Sequence, residues 1–349
     1  MSVCTGFTPS CSTEDSRESF HGENRREGML WIPGGEFYMG SDTHYPEEAP
    51  LHKVRIDGFF MDETPVTNDQ FAKFVEATGY ITFAEIAPRA EDYPGADVSA
   101  LVAGSLVFIP PNAPVSMQIE NWWQFLHGAD WRHPYGPDSH LDELGTHPVV
   151  HVAWCDVEAY AAWANKSLPT EAEWERAARG GLDRQAYAWG DTFTLDGRLM
   201  ANTWHGKFPN QNLALDGFTR TSPVGRFPVN GYGLLDMIGN VWEWTQDWFK
   251  RGHDAHPGKS CCIPSNPRGA NADQSIDDRA AGLPTPRKVL KGGSHLCAPN
   301  YCQRYRPAAR HAHPVDTSTS HIGFRCVWRP NDAHRDSPAS TSEQTIQKS

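Results

Sequence analysis

The sequence predicts an α+β fold made of a single loop-rich domain with little regular secondary structure. Strand-like alternation and helix-like periodicity both occur, but they do not succeed one another as layered βα units. Gly and Pro are frequent, with 30 and 27 copies, so the backbone turns often. The 13 Trp supply large rings that can pin irregular backbone in place. A chain of 349 residues can bury a sizeable core. No internal repeat divides it, so one domain over residues 29–330 is the economical reading.

Residues 1–28 are polar with little to bury and are expected to form a mobile tail in which Cys4 and Cys11 are incidental. In MLWIPGGEFYMGS, apolar residues from Met29 run into a Pro-Gly-Gly turn and resume at Phe37, Tyr38 and Met39, the signature of a β-hairpin. Residues 52–61 alternate around Val54 and Ile56 and predict a further strand. Thr67, followed three residues later by Gln70, has capping-box spacing ahead of Phe71, Phe74 and Val75 on one helical face, and Gly79 supplies the stop. Residues 82–139 show no sustained period. They are expected to form long ordered loops pinned by Trp122, Trp123, Phe125 and Trp131.

The strand-like HPVVHVAW precedes a helix of about residues 155–164. LPTEAEWERAARGG announces a third helix: Thr170 caps it, Glu173 closes the box, Ala172, Trp174 and Ala177 turn inward, and Gly180 and Gly181 end it. Short aromatic turns follow at 187–191 and 201–208, then DGF at 216–218 and NGYGLLDMIGNVWEWTQDWF at 230–249. The polar, Pro-rich stretch 251–286, with Cys261 and Cys262, reads as an insertion loop. Residues 331–349 read as a second mobile tail.

A net charge of −12 argues against nucleic acid or an anionic membrane as partner, because the overall field repels both. No segment is apolar and long enough for a signal peptide or a membrane span, so a cytoplasmic location is expected. Eight irregularly spaced cysteines are too few for a disulfide scaffold of this size, which makes free thiols or metal ligands the interesting cases.

Cys297 and Cys302 stand five positions apart in a stretch rich in Gly, Tyr and Arg, and Cys326 lies near its end. Spacing alone leaves three readings of the pair open: a structural disulfide, half of a zinc site, or a two-thiolate site for a soft ion such as Cu(I). A zinc site would need a second Cys or His pair, and none is evident. Asp236 and Glu243, with the carbonyls of Gly239 and Val241 between them, offer hard oxygens of the kind Ca2+ takes, and an ordinary surface turn would need the same residues. Asn202 and Asp216 form a looser pair. His147 and His151 are four apart on a strand-like segment, too far for easy chelation, and Ala153 stands where a carboxylate would complete an iron-binding set.

These segments together resemble the formylglycine-generating enzymes, the sulfatase-modifying factor family. The resemblance rests on IPGGEFYMGS, PVTNDQF, FVEATGY, DWRHPYGPDS, HPVVHVAW, LPTEAEWERAARGG, NGYGLLDMIGNVWEWTQDW, KGGSHLC, YCQRYRPAAR and GFRC, and covers essentially all of residues 29–328. LPTEAEWE or GNVWEW alone would indicate only the wider superfamily, whereas the GGS-x-x-C-x4-C-x-R-Y-R element is much more selective. The resemblance implies a fold related to C-type lectins. It implies O2-dependent oxidation of a cysteine in a Cys-x-Pro-x-Arg segment of a sulfatase polypeptide to Cα-formylglycine, by a monomer.

Within that resemblance, Cys297 and Cys302 match Cu(I) ligands, with Ser294, Tyr301 and Trp242 as supporting active-site residues. Two structural Ca2+ sites map onto Asn202, Thr203 (carbonyl), Asp216 and Phe218 (carbonyl), and onto Asp236, Gly239 (carbonyl), Val241 (carbonyl) and Glu243. The chain departs from animal members in three ways. Ala161, Ala178 and Pro307 stand at disulfide positions, which leaves Cys326 as an expected buried thiol; His321 replaces an Asn; and Cys261–Cys262 falls in an insertion. Two other readings stay in play: a non-catalytic lectin-like binding module and an iron-dependent sulfoxide synthase.

Overall fold

The computed structural model describes residues 26–330 apart from 93–94, 96, 118–120, 255–262 and 278–283, so Cys4, Cys11, Cys261, Cys262 and the expected tail at 331–349 lie outside the described residues. Strands β1 (Met29–Ile32), β4 (Phe59–Asp62) and β11 (Val327–Trp328) form one sheet in the order β1-β4-β11. Strands β7 (Trp242–Trp248), β8 (Arg287–Lys291), β9 (Arg310–Pro314) and β10 (Ile322–Gly323) form the second, in the order β10-β7-β8-β9. β2 (Gly35–Met39) pairs with β3 (His52–Ile56), and β5 (Gly104–Phe108) with β6 (Trp123–His127). Three helices accompany them: α1 (Asn68–Thr78), α2 (Trp154–Trp163) and α3 (Glu171–Arg179). No helix among the described residues is long and apolar enough to cross a membrane.

Both strands of the expected first hairpin exist, but they do not pair with each other. β1 pairs with β4 and β2 with β3, so the two pairings nest. The single strand expected over 52–61 is accordingly broken at Asp57–Gly58. The reason is close approach at two glycines: a Cβ on Gly34 would lie 2.7 Å from the Gly58 nitrogen, and one on Gly58 would lie 2.3 Å from the Trp31 ring. Arg26 and Gly28, just ahead of the expected boundary, already touch the sheet. The Arg26 guanidinium lies 3.3 Å from the Trp328 ring centroid, and the Gly28 carbonyl accepts from the Glu63 N–H at 3.0 Å.

α1 starts and stops where expected. The Gln70 N–H donates to Thr67 Oγ1 at 3.3 Å, the Thr67 N–H donates to Gln70 Oε1 at 2.9 Å, and Gly79 takes the left-handed conformation. Its buried face sets Phe71 against Trp131, Tyr160 and Phe324. The β5–β6 hairpin corrects the expectation of loops over 82–139. Its alternation is masked because Ser105, a polar residue, points inward and meets Ser318 Oγ at 2.7 Å and His151 Nδ1 at 2.7 Å. HPVVHVAW forms no strand. A lone bridge joins Thr67 to Pro148, and His151 at φ 60° reverses the chain.

α3 is the most deeply set helix, with every residue but Arg176 buried, including Glu171, Glu173, Glu175 and Arg179. Those charges are matched. Lys291 Nζ on β8 donates to Glu175 Oε2 at 3.0 Å, Arg179 to Glu175 Oε1 at 2.7 Å, and Arg310 on β9 to Glu171 Oε2 at 2.7 Å. Burial alone would raise the Glu175 carboxyl, but Lys291 and Arg179 outweigh it and bring it from 4.5 to about 2. Its folded-state pKa is therefore depressed, so Glu175 contributes stability above pH 4.5, and that contribution is lost as pH falls through about 2. Glu175→Ala should leave Arg179 buried without its counter-charge and Lys291 with only Glu171 at 3.6 Å, and cost about 3–5 kcal/mol. Denaturant unfolding at neutral pH measures the loss, and the difference from the parent should shrink on acidification from pH 4.5 towards 2.

Candidate active site

β8 ends at Lys291, and the next two residues set the direction of everything that follows. Gly292 and Gly293 take φ 96° and 74°, in the region that favours glycine. A Cβ on Gly292 would lie 3.0 Å from both the Met237 carbonyl oxygen and the Trp174 ring, and one on Gly293 would lie 2.9 Å from the Arg304 carbonyl oxygen. Two tight turns then carry the cysteines. The Cys297 N–H donates to the Ser294 carbonyl at 2.9 Å, and the Cys302 N–H donates to the Ala298 carbonyl at 2.9 Å.

The result is a sulfur–sulfur distance of 3.2 Å between Cys297 and Cys302, both buried and both free thiols. At that separation the two sulfurs are in contact without an S–S bond in this structure. The two thiols are shifted in opposite directions. The hydrogen bond from Cys297, helped by the Arg304 guanidinium 3.9 Å from the Cys302 sulfur, lowers the Cys302 thiol, while burial raises that of Cys297. Arg304 is itself fixed by an ion pair to Glu47 at 2.5 Å and lies 3.9 Å from the Tyr45 ring centroid. Sequence reasoning passed over Arg304, although it stands two residues after Cys302. Glu47 and Tyr45, some 260 positions away, leave no local trace.

The expected supporting residues lie as follows. The Ser294 N–H points at Cys297 Sγ from 3.4 Å, and Ser294 Oγ accepts from the Leu296 N–H at 3.2 Å. The Tyr301 ring stacks on Phe208 with centroids 4.3 Å apart and meets Trp122 edge-on. Phe208 and Trp122 belong to a satellite apolar cluster with Phe108, Trp204, Leu296 and Ala298, separate from the main core. Trp242 is buried. Its N–H donates to the His321 carbonyl at 2.9 Å, and its ring lies 5.6 Å from His311. His321 lies beside Trp123, on the β5–β6 hairpin, and bonds Thr319 Oγ1 at 2.6 Å.

His147 and His151 do not chelate: the first bonds Thr221 at 3.0 Å, and the second Ser105 and the Pro134 carbonyl. Cys326 is a fully buried free thiol packed in the core, as expected. Among the described residues no three His, Cys, Asp or Glu side chains converge on a point that could hold a metal ion.

The two oxygen sets differ. In the first, the Thr203 N–H donates to Asp216 Oδ2 at 3.2 Å, joining the Asn202–Thr203 segment to Asp216–Phe218. Asn202 Oδ1 is buried with no hydrogen-bond partner, as a cation ligand would be. In the second, Asp236 Oδ1 is likewise buried and unpartnered, and burial pushes that carboxyl up to about 6. Glu243, however, is already engaged. Arg325 Nε and Nη2 donate to its oxygens at 2.8 and 2.9 Å, and Trp174 Nε1 at 2.7 Å. The first set leaves Asn202 Oδ1 open beside an Asp216 carboxylate whose oxygens accept the Thr203 and Phe218 N–H groups, and the second leaves Asp236 Oδ1 open while Glu243 carries a guanidinium.

A family model described as the sulfatase-modifying factor enzyme 1-like domain matches residues 16–330. The chain is 52% identical to the formylglycine-generating enzyme of Mycobacterium tuberculosis over 304 residues, 86% of this chain and 98% of the relative. The mouse formylglycine-generating enzyme is 42% identical over 302 residues, 86% of this chain and 74% of the relative. A cattle protein named inactive C-alpha-formylglycine-generating enzyme 2 is 36% identical over 313 residues, 88% of this chain and 89% of the relative. Among solved structures, PvdO from Pseudomonas aeruginosa shares the fold with a TM-score of 0.57 at 22% identity, covering 86% of this chain and 94% of that one.

Gly292→Ala should disturb the cysteines from a distance, since the added methyl group must displace either backbone at Met237 or the Trp174 ring. The expected outcome is a loss of about 1–3 kcal/mol in stability together with faster reaction of Cys297 and Cys302 with a thiol reagent. Unchanged reactivity would show that the turn does not position the pair.

Proposed function

Because this chain belongs to the sulfatase-modifying factor family of formylglycine-generating enzymes, we propose that it converts a cysteine of a sulfatase to Cα-formylglycine with O2, at Cys297 and Cys302. The observation that carries this reading is the pair of buried, reduced sulfurs 3.2 Å apart. Two soft sulfurs, one of them drawn towards the thiolate, are a donor set suited to Cu(I). When bound there, copper would supply the redox chemistry that lets O2 accept electrons from the substrate thiol.

The chain's own residues prepare that step. The Gly292–Gly293 turn and the two backbone hydrogen bonds fix both sulfurs before substrate arrives. Arg304 balances negative charge at Cys302. Tyr301, Trp122 and Phe208 wall one side of the loop and keep bulk water from it. Trp242, Ser294 and Tyr301 are assigned to orienting O2, water or substrate. The substrate is an extended polypeptide with the Cys-x-Pro-x-Arg pattern, acted on by a monomer in a reducing, cytoplasmic setting, where Cys155, Cys297, Cys302 and Cys326 stay as thiols.

Turning CH2–SH into CHO releases the sulfur as sulfide and removes two electrons. Reducing O2 to water takes four, so an external thiol supplies the remaining pair. Copper-loaded protein, a Cys-x-Pro-x-Arg peptide, O2 and a thiol reductant should therefore yield a product that has lost H2S and gained one oxygen, read by mass spectrometry. Cys297→Ser and Cys302→Ser should each weaken Cu(I) binding and conversion by at least about 100-fold, more than loss of a supporting hydrogen bond costs. Retention of copper and activity by both variants would overturn the assignment. Copper binding with no product under any condition would favour a binding module.

Calcium is assigned to both oxygen sets, with structure rather than chemistry as its task. Asn202, Asp216 and the carbonyls of Thr203 and Phe218 form the stronger site. Asp236 and the carbonyls of Gly239 and Val241 form the weaker one, because Glu243 would be shared with Arg325. Calcium at 100 times its dissociation constant should stabilise the protein by about 2.7 kcal/mol per site. Asp216→Asn should remove the larger part of that gain in a thermal melt run with and without a chelator.

A further inference from the structure

The rings that wall the cysteine loop continue, one against the next, to the surface. Tyr301, the residue before Cys302, stacks on Phe208 with centroids 4.3 Å apart and meets Trp122 edge-on at 5.8 Å. Phe208 in turn lies 5.4 Å from Trp122, 5.2 Å from Trp204 and 5.5 Å from Phe108. Phe108 carries the contact on to Trp123 at 5.9 Å. The network is tied to both cysteines, because the Trp204 N–H donates to the Cys297 carbonyl at 3.0 Å and Tyr301 is the chain neighbour of Cys302. Trp122 and Trp204 are buried, whereas Trp123, on β6, is partly open to solvent.

Packing alone does not account for these side chains. Nε1 of Trp122 and Nε1 of Trp204 are buried with no hydrogen-bond partner. An unpaired buried donor costs about 1–3 kcal/mol, so Phe or Leu would fill the same space without that penalty. What an indole or a phenol can do beside partly reduced O2, and a phenyl ring cannot, is give up one electron. An oxidised indole whose N–H faces no acceptor keeps its proton, so the charge moves to the next ring instead of being trapped as a neutral radical. Cys297 and Cys302 need such an outlet, because thiols exposed to unspent oxidant climb to sulfinic and sulfonic acids, which do not revert unaided.

We propose that Tyr301, Trp122 and Trp123, with Trp204 as a side branch, form a relay that carries oxidising equivalents away from Cys297 and Cys302 when O2 is reduced there without a bound substrate, and hands them at Trp123 to a thiol in solution. The inference rests on the reading of that pair as the place where O2 is reduced. In each transfer Tyr301 gives one electron and its hydroxyl proton to the oxygen, then takes an electron from Trp122 and a proton from solvent. Trp122 is refilled by Trp123, and Trp123 by a thiol, which loses one electron and one proton; two such thiyl radicals couple to a disulfide. Four transfers turn one O2 into two waters and four thiols into two disulfides.

Copper-loaded protein is exposed to O2 and glutathione with no peptide present. Freeze-quenched samples are read by electron paramagnetic resonance, and the cysteines by mass spectrometry. The expected result is an organic radical signal that ring-deuterated Trp narrows, with little oxygen added at Cys297 and Cys302. Trp123→Phe, which removes the exit, should raise oxygen addition at both cysteines at least about fivefold for the same O2 consumed, and Trp123→Tyr, whose ring can be oxidised, should restore most of the protection. Trp122→Phe should raise cysteine oxidation in the same way, and circular dichroism verifies that each variant folds. Absence of a ring-derived signal, or equal cysteine oxidation in the parent, Trp123→Phe and Trp123→Tyr, overturns the relay and leaves the O2 site standing. Protection lost equally in the Phe and Tyr variants marks a packing role and overturns it too. If the copper-loaded protein consumes no more O2 than Cys297→Ser, the reading of the pair falls and the relay with it.

Discussion

The pairing of Glu175 on α3 with Lys291 at the end of β8 is the constraint from which the site hangs. Both side chains are fully buried, so neither charge has recourse to water. Charges that deep gain little net stability, but they tolerate very few arrangements, because a mispaired partner is costly. The same face of α3 repeats the device. Glu171 holds Arg310 on β9, and Trp174 donates to Glu243, which also binds Arg325. Strands β7, β8 and β9 are thus bolted to one short helix at their charged positions, and the Gly292–Gly293 turn leaves from that anchored end.

Most of the functional stretch has no regular secondary structure, and its precision comes from other sources. Glycines with left-handed backbone let the chain pass closer to Trp174 and Arg304 than any side chain would allow. Aromatic rings fill the opposite side. Tyr301, Phe208, Trp122 and Trp204 form a second small core over the cysteine loop, fed by segments almost two hundred positions apart. Frequent turns and abundant Trp are therefore two halves of one solution: the loops supply shape, and the rings replace the rigidity that backbone ladders would have provided.

The molecule separates its polar chemistry by donor type. Soft sulfurs sit together beside one guanidinium. Side-chain oxygens stand at Asn202 and Asp216, and again at Asp236, with the first segment tied to the cysteine loop through the Trp204 N–H, which donates to the Cys297 carbonyl at 3.0 Å. The histidines that could blur this division are mostly engaged. His151, His295 and His313 each bond a backbone carbonyl. His205 differs in making no side-chain hydrogen bond, and its Nδ1 lies 3.6 Å from Asp216 Oδ2. His321 is bonded to Thr319 and packed beside Trp123, which lies on the β5–β6 hairpin, so its position is set by a hairpin with no clear sequence period.

Helix ends were legible because they are local. Thr67 with Gln70, Thr170 with Glu173, and the glycines at 79 and 180 satisfy or terminate backbone within one turn, and the structure reproduces each of them. The cysteine spacing and the Gly-Gly step before it were equally readable, and the segments from Met29 onward were enough to indicate the family. The partner of each strand was not. The Pro-Gly-Gly turn joins β1 and β2, but Gly58 under Trp31 and Gly34 against the Gly58 backbone decide that they pair elsewhere. Ser105 hid a strand because its inward hydroxyl is satisfied by Ser318, more than two hundred positions away. By itself, then, the sequence determined the caps, the turns, the family and the identity of the two sulfurs. Only the tertiary structure decided the 3.2 Å contact between those sulfurs, the Glu47–Arg304 pair beside them and the commitment of Glu243 to Arg325. Close approach and charge neutralisation between distant segments depend on how the chain is packed, and no local period records them.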